Sequence, residues 1–254
     1  MSTLAAQGLA IGYGGRGIGE GIDLAVPPGS ITCLLGPNGV GKTTLFKTLL
    51  GLLPPIAGTV MLDGADLSHL SRAEVARRIA YVPQAQAGEF AYTVLDLVVM
   101  GRTAHLGAFA APRARDAEIA MAALDALGIA SLAERDAMRI SGGQRQLALI
   151  ARALAQQAGV IIMDEPTASL DLGNRAMVLK TIRGLAQEGL AILVSTHEPE
   201  HAFAMADQAA ILDRQAPFAC GPVDTMLTSD RLSRLYGLPL VVERTPSGHR
   251  VVVA

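Results

Sequence analysis

Hydrophobic positions near the N-terminus occur in short runs that are interrupted by glycine. Two of these runs, residues 4–11 and 22–26, have the composition of antiparallel strands. Residues 31–35 are instead a continuous apolar run, as expected for a strand that is buried on both faces. A further strand signal follows near residues 58–62. The pattern predicts a small antiparallel sheet that leads into the first strand of a buried sheet.

Apolar positions with helical spacing alternate with strand signals over the rest of the chain. Predicted helices are residues 43–50, a short helix from a Ser71/Glu74 capping box towards Arg78, and residues 93–100, 112–127, 142–157, 175–188 and 199–205. Predicted strands are residues 80–82, 160–164, 191–195 and 209–212. Strands that alternate with helices predict an α/β fold in which helices cover both faces of a parallel sheet. The helical stretch from about residue 85 to residue 158 interrupts this fold as an insert.

Composition and charge exclude several classes of protein. Of the 254 residues, 50% are apolar and 17% are charged, and the formal net charge is −2. Because no basic run occurs, we expect no binding of nucleic acid. Cys33 and Cys220 lack metal-ligand or redox spacing and fit a reducing compartment. No secretory signal pattern and no run of about 18 apolar residues is present, so we expect a cytoplasmic protein.

A glycine-rich loop follows the buried strand of residues 31–35 and opens the next helix. It consists of Gly36, Pro37, Asn38, Gly39, Val40, Gly41, Lys42 and Thr43, with Thr44 after it, and matches G-x-x-x-x-G-K-[ST]. Glycines let backbone N–H groups converge on an anion, and the helix N-terminus adds its positive dipole end. Lys42 can neutralise the β- and γ-phosphates, and the Thr43 hydroxyl can bind Mg²⁺. The loop therefore predicts binding of a nucleoside triphosphate, and we expect ATP.

Two carboxylates, Asp164 and Glu165, end the apolar strand that starts at residue 160. Asp164 is placed to hold Mg²⁺, and Glu165 can orient a water molecule that attacks the γ-phosphate. With a pKa of about 4.3 a glutamate is a weak base, so its contribution should be mainly polarisation and placement. An acidic strand-to-loop turn is the ordinary alternative, and the phosphate loop upstream argues against it.

Two further polar residues follow strands of the predicted sheet. His197 comes at the end of the strand that begins at residue 191, where it could hydrogen-bond the γ-phosphate or the attacking water. Gln84 follows residues 80–82, and its amide could complete the Mg²⁺ shell. A histidine or glutamine in a loop is otherwise ordinary, so both hypotheses depend on the neighbouring motifs.

A second glycine-containing loop opens the predicted helix of residues 142–157. It runs through Ser141, Gly142, Gly143 and Gln144, and its serine and glutamine form a capping-box pattern. The serine hydroxyl, the free backbone donors and the helix dipole make it a second candidate anion site. An ordinary helix N-cap would also explain the serine and the glutamine. One nucleotide bound to one chain does not need two such loops.

Taken in order, these motifs resemble those of the ATP-binding cassette (ABC) family over essentially the whole chain. Residues 36–43 resemble Walker A, Gln84 the Q-loop, residues 141–144 the signature, residues 160–164 Walker B, Glu165 the catalytic glutamate, residues 169–171 the D-loop and His197 the switch histidine. The resemblance implies one cassette with a P-loop NTPase (RecA-like) core and an N-terminal antiparallel β subdomain, residues 1–84 and 159–254, and a helical subdomain, residues 85–158. It also implies an active ATPase that uses ATP and Mg²⁺. The chain departs from the family's pattern at Ile140 and at Gly29-Ser30, and none of these residues is a phosphate ligand.

In that family two cassettes pack head-to-tail. The resemblance therefore implies a homodimer in which Ser141 and Gly143 of one copy close on the ATP of the other. It further implies that Tyr13 stacks on adenine, which suits its ring, although a tyrosine at a strand edge is the simpler alternative. A cassette without a membrane segment depends on another polypeptide for the transport path. The resemblance therefore implies a separate permease and places the cassette at the cytoplasmic face of the membrane.

Residues 92–107 resemble those of importers for metal chelates, namely iron–siderophore complexes, haem or cobalamin, with molybdate or tungstate in close relatives. The resemblance implies that permease subunits dock on the helical subdomain just after Gln84, and that a substrate-binding protein acts indirectly. Because the cargo of that family does not enter the cassette, we expect Arg102 and His105 to serve in surface docking or plain solvation. A generic amphipathic helix with a loop is the alternative for this stretch.

Two other functions fit part of the sequence. A soluble ABC ATPase of chromosome maintenance or translation would carry long coiled coils or two cassettes, and neither a sustained heptad run nor a second phosphate loop occurs here. A P-loop GTPase would have an Asn-Lys-x-Asp guanine-binding motif, which is absent. A P-loop kinase acting on a small molecule would leave the Ser141 loop unexplained, and its phosphorylated product would reveal it.

Overall fold

The computed structural model describes residues 3–14, 16–84, 92–107 and 110–254. The strands are β1 Leu4–Tyr13, β2 Arg16–Val26, β3 Ile31–Leu35, β4 Ala57–Leu62, β5 Ala65–Asp66, β6 Ile79–Val82, β7 Val160–Met163, β8 Ala191–Thr196, β9 Gln208–Ile211, β10 Ala219–Pro222, β11 Val241–Arg244 and β12 Arg250–Val253. The α-helices are α1 Lys42–Leu49, α2 Arg72–Arg78, α3 Val94–Val99, α4 Ala114–Ala126, α5 Gly142–Ala155, α6 Leu172–Gln187, α7 Pro199–Met205, α8 Val223–Met226 and α9 Ser229–Tyr236. Short 3₁₀ helices lie at Leu67–His69, Met100–His105 and Ala130–Leu132.

Three sheets are formed by the described strands. An antiparallel sheet has the order β2-β1-β4-β5, the central sheet has the order β10-β9-β3-β8-β7-β6, and β11 and β12 form a hairpin. In the central sheet β9, β3, β8, β7 and β6 run parallel, with β10 antiparallel at one edge. Parallel strands end at the same edge of a sheet, so the residues that follow β3, β6, β7 and β8 lie on one side of the molecule. The predicted α/β fold and N-terminal antiparallel sheet are confirmed.

Two hydrophobic clusters pack on opposite faces of the central sheet, since side chains alternate along a strand. Ile161 and Met163 belong to the cluster that contains α3, α4, α5 and α6. Val160 and Ile162 belong to the other cluster, which joins the sheet to α1 and to the antiparallel sheet. An eight-residue helix such as α1 is too short to be stable by itself, so its buried apolar side chains, Phe46 among them, hold it in place.

Element boundaries differ from the prediction where glycine or a cap decides them. β2 begins at Arg16, six residues before the apolar run, because its glycine-rich start pairs with β1 through the backbone. α6 begins at Leu172 because the Asp171 side chain caps it by accepting from Asn174 N. The C-terminal elements α8, α9, β10, β11 and β12 were not predicted. Of the predicted helical insert, residues 85–91 and 108–109 lie outside the described residues, and its boundaries as a subdomain stay a prediction. Among the described residues, no helix combines the length and hydropathy that a bilayer crossing requires.

Candidate nucleotide-binding site

The glycine-rich loop connects β3 to α1 at the carboxyl edge of the central sheet. Gly39 and Gly41 have φ angles of 76° and 122°, in the region that only glycine adopts without strain. A Cβ atom on Gly36 would lie 2.5 Å from the carbonyl oxygen of Leu212, so this glycine allows the loop to approach the end of β9. Arg214, which was not predicted, donates from Nη2 to the carbonyl oxygen of Gly39 at 2.6 Å. The loop is therefore braced from the neighbouring strand.

Lys42 and Thr43 connect this loop to the acidic residues after β7. Lys42 is buried, and its Nζ donates to the carbonyl oxygen of Gly36 at 2.7 Å and lies 3.3 Å from Glu165 Oε1. Thr43 Oγ1 donates to Asp164 Oδ2 at 2.9 Å. The two motifs are more than 100 residues apart in sequence, and their side chains are in direct contact.

Asp164 and Glu165 are held by residues of the neighbouring strands. Ser195 Oγ donates to Asp164 Oδ1 at 2.6 Å and accepts from the Glu165 backbone N at 2.9 Å. Tyr81 OH lies 3.4 Å from Asp164 Oδ2, and burial together with the charge of Asp164 raises the pKa of Tyr81 to about 12. Tyr81 therefore remains a protonated donor. Glu165 has a φ angle of 45°, a strained conformation for a non-glycine residue and one that is typical of functional sites.

His197 follows β8 and faces Glu165. Its Nδ1 lies 3.4 Å from Glu165 Oε2, and its side chain is 45% exposed. The edge of the sheet also contains a cavity of about 340 Å³. This cavity is lined by Asn38, Gly39, Gly41, Lys42, Thr43, Thr44, Gln84, Asp164 and Glu165. An ammonium group suits phosphate, and hydroxyl, amide and carboxylate oxygens suit Mg²⁺, so the donor set fits both groups.

A buried histidine that was not predicted to have a role lies beneath these loops. His201 Nδ1 is 3.2 Å from the hydroxyl of Thr167, in the loop after β7, and 3.2 Å from that of Thr196, the last residue of β8. Its Nε2 is 3.2 Å from Glu198 Oε2, which also accepts from Arg175 Nη1 at 2.7 Å. Burial lowers the pKa of His201. The neutral ring therefore links the loop of Glu165 to the loop of His197.

Comparison with known proteins assigns the chain to a family. Residues 20–168, more than half of the chain, match the family model described as ABC transporter. The chain belongs to the ABC transporter family. An uncharacterised ABC transporter ATP-binding protein of Haemophilus influenzae is 46% identical over 236 residues, which cover 93% of this chain and 90% of the relative. The molybdate import ATP-binding protein MolC of the same organism is 42% identical over 84% of this chain and 79% of its own length.

Other relatives and structures agree with this assignment. The hemin import ATP-binding protein HmuV of Pseudomonas fluorescens is 37% identical over 99% of both chains. A solved structure of a transporter assigned to the metal-chelate type, in an inward-facing conformation, has a TM-score of 0.88 and 35% identity over 100% of this chain and 98% of its own. An ATP-binding cassette in its ADP conformation, with a TM-score of 0.83 and 24% identity, shows the fold alone. As an ATP-binding subunit of this family, the cassette binds and hydrolyses ATP and pairs with membrane permease components.

Several residues predicted for the site, the signature loop and Tyr13 among them, do not line this cavity. Ser141 and Gly142 are exposed at the start of α5, where Ser141 Oγ accepts from Gln144 N at 3.2 Å and the predicted capping box is confirmed. Gly143 is buried and packs closely on α6: a Cβ atom at this position would lie 2.2 Å from Asn174 Oδ1. Tyr13 is exposed at the end of β1. The nucleotide contacts of Tyr13 and of the signature loop stay predictions.

Arg102 has a different role in the cassette from the one predicted. It is only 7% exposed, and its Nε lies 3.1 Å from Asp116 Oδ1. Its Nη1 donates to the carbonyl oxygen of Ala155 at 2.8 Å and to Gln157 Oε1 at 2.9 Å. The prediction of surface docking or solvation is therefore wrong for Arg102, because its guanidinium satisfies groups at the C-terminal end of α5. His105 is exposed, with Nε2 2.8 Å from a backbone carbonyl oxygen, and its role stays a prediction.

Proposed function

We propose that this cassette energises a membrane importer whose cargo is a metal chelate (an iron–siderophore complex, haem or cobalamin) or molybdate. The full-length similarity to the hemin import ATP-binding protein carries this proposal, because 99% of both chains align. The similarity to the molybdate import ATP-binding protein and to the metal-chelate type transporter supports the same range of cargo. These relatives support import, and their names support the proposed range of cargo.

Within one cassette, the predicted site residues have separate chemical roles. Lys42 and the backbone N–H groups from Gly36 to Thr44 bind the phosphates of ATP. The Thr43 hydroxyl, the Asp164 carboxylate and the Gln84 amide would hold Mg²⁺, which neutralises charge on the β- and γ-phosphates when bound. Glu165 orients the attacking water, and His197 contacts the γ-phosphate or that water. The ring of Tyr13 stacks on adenine.

The signature loop acts on the nucleotide of a second copy. Ser141 and Gly142 are exposed and, among the described residues, neither lines the cavity of its own chain. The N-terminus of α5 offers the Ser141 hydroxyl, free backbone N–H groups and a positive dipole end, which suit an anionic γ-phosphate. This arrangement supports a head-to-tail homodimer in which Ser141, Gly142, Gly143 and Gln144 complete the site of the partner copy.

A second surface suits the permease. A cleft of about 910 Å³ lies between the loop after α1 and the start of the 3₁₀ helix that follows α3, with Leu52, Pro54, Met100 and Arg152 in its lining. Leu52 and Met100 are exposed apolar side chains at this cleft, which is typical of a protein interface. We infer that permease subunits dock here and hold the cassette at the cytoplasmic face of the membrane, with a substrate-binding protein acting through the permease.

Co-purification with a permease tests this function. The tagged full-length cassette, expressed in its own cells, should retain a membrane permease in mild detergent, and its ATP turnover should rise when a chelate-loaded binding protein is added. Leu52→Asp should abolish permease retention without changing ATP affinity, whereas Leu238→Asp, at an exposed leucine outside the cleft lining, is the control. A cassette that retains no permease, or that transfers phosphate to a small molecule instead of water, would overturn the proposal.

A further inference from the structure

The backbone of His197 is held by a residue from the C-terminal end of the chain. Tyr236 OH donates to the carbonyl oxygen of His197 at 2.9 Å. The imidazole itself is 45% exposed, and its carboxylate neighbours are Glu165 at 3.4 Å and Glu198 at 4.0 Å. An exposed ring at such distances is weakly fixed by its own contacts, so the position of its peptide matters.

The hydroxyl of Tyr236 is suited to a permanent hydrogen bond. The residue ends α9, and its side chain is partly buried. Burial and, to a smaller extent, the charge of Glu165 raise the pKa of Tyr236 to about 12. The phenol therefore stays protonated and donates throughout the neutral pH range.

The helix that carries Tyr236 is itself fixed in place. Ser233 Oγ donates to the carbonyl oxygen of Leu240 at 3.1 Å and accepts from Leu240 N at 2.8 Å, which ties α9 to the chain that follows it. Ser229 Oγ accepts from Val242 N at 2.9 Å. Leu235, next to Tyr236, is buried in the core. The hydroxyl is thus presented by a folded layer formed by α9 and the β11–β12 hairpin.

The same C-terminal layer contacts α7, which begins two residues after His197. Val252 N donates to Glu200 Oε1 at 3.2 Å. The guanidinium of Arg250 lies over the ring of Phe203, 5.4 Å from its centroid. Together with the Tyr236 contact, these interactions hold residues 197–203 at three points. These three contacts connect the C-terminal layer to the segment that contains His197.

We propose that Tyr236 is a positioning residue for ATP hydrolysis, because its hydroxyl fixes the peptide of His197 and thereby the distance between the imidazole and Glu165. The proposal rests on the role proposed above for His197. A change of this distance alters the alignment of the reacting groups, to which hydrolysis is more sensitive than nucleotide binding. Tyr236 therefore acts on turnover through His197, without touching ATP.

Tyr236→Phe in the full-length cassette tests the proposal, since it keeps the ring and removes the hydroxyl. We expect kcat to fall three- to tenfold with an unchanged KM for ATP, as for the loss of one positioning hydrogen bond. Thr245→Ala is the matched control, because it removes hydrogen bonds to His249 in the same layer and touches neither His197 nor the contacts that hold α9. It should lower thermal stability and leave kcat unchanged. In ¹⁵N-labelled protein, the imidazole signal of His197, identified by its loss in His197→Ala, should shift in Tyr236→Phe and not in Thr245→Ala.

Two results would overturn the positioning role of Tyr236, and a third would refute the role proposed for His197. Wild-type kcat together with an unshifted His197 signal in Tyr236→Phe would overturn the proposal. Equal losses of kcat in Tyr236→Phe and Thr245→Ala, in proportion to their losses of stability, would reduce Tyr236 to a packing residue and also overturn it. Normal turnover of His197→Ala would refute the proposed role of His197, and the imidazole signal would still report whether Tyr236 positions that ring.

Discussion

Lys42 and Glu165 form an ion pair in which Nζ and Oε1 lie 3.3 Å apart. The two side chains are 6% and 14% exposed, so solvent screens their attraction only weakly. In the proposed function the ammonium binds phosphate and the carboxylate orients water. Phosphate binding therefore competes with the carboxylate for the same ammonium, and the charge of Glu165 opposes the binding of an anion.

Glu165→Gln removes this competition together with the carboxylate. We expect ATP to bind at least as tightly as to the wild type, and turnover to fall about 100-fold or more, which is typical for loss of a group that orients or activates water. Equilibrium binding and phosphate release measure the two effects. Glu188→Gln, at an exposed position after α6, is the control and should change neither. Turnover of Glu165→Gln near the normal rate would show that another group performs this role.

Gly143 is required by the packing of α5 against α6. A Cβ atom there would lie 2.2 Å from Asn174 Oδ1 and 2.7 Å from Asn174 Cβ, so Gly143→Ala should destabilise the cassette by about 1–3 kcal/mol. Asn174→Gly in the same chain should restore part of this loss, because it removes the Cβ atom as well as the amide group. Gly184→Ala is the control, because its Cβ would meet nothing within 4 Å, and it should be neutral or stabilising. Urea unfolding measures all three, and a Gly143→Ala protein as stable as wild type would contradict the packing argument.

His201 makes stability depend on pH. Its burial lowers its pKa in the folded state, so the unfolded chain binds a proton first as the pH falls. The stabilisation is complete above the unfolded pKa of about 6.5 and is lost as the pH falls from there towards the lower folded pKa, by at most about 1.4 kcal/mol per pH unit. Urea unfolding between pH 7.5 and pH 5 should therefore show a shallower slope for His201→Gln than for wild type. His249→Gln, at an exposed histidine, is the control, and equal slopes for wild type and His201→Gln would refute the assignment.

Arg102 holds the 3₁₀ helix Met100–His105 against α4 and α5. Arg102→Ala should destabilise the cassette markedly, because Asp116 loses its cationic partner, keeping only the hydrogen bond from Arg113 N, and the carbonyl oxygen of Ala155 loses its donor. Arg139→Ala removes an exposed pair with Asp136 and should change stability by less than about 1 kcal/mol. Thermal unfolding compares the two variants. Equal falls of the unfolding temperature in Arg102→Ala and Arg139→Ala would show that the buried pair stabilises the cassette no more than the surface pair does.

Much of the site was predictable because its residues follow the strands of a parallel sheet. Lys42, Asp164 and His197 each come directly after, or a few residues after, an apolar run, and the common edge of the sheet brings them together. Tyr236 was not predictable as a partner of His197, because the two residues are 39 positions apart and the short strands β11 and β12 show no alternation of apolar and polar residues. Arg102 was misjudged for a related reason. Its acceptors near residue 155 are distant in sequence, so its burial has no local signal.

Helix α5 joins two surfaces that have separate roles in the proposed function. Its 14 residues span about 21 Å, with Ser141 at one end and the Arg102 contact to Ala155 at the other. Near its C-terminal end the Gly101 backbone packs so closely on the Arg152 carbonyl oxygen that a Cβ atom would lie 2.1 Å from it. Gly101 and Arg152 also line the cleft assigned to the permease. In the proposed function, this helix would therefore carry a displacement from a permease in the cleft to the signature loop that faces the second copy.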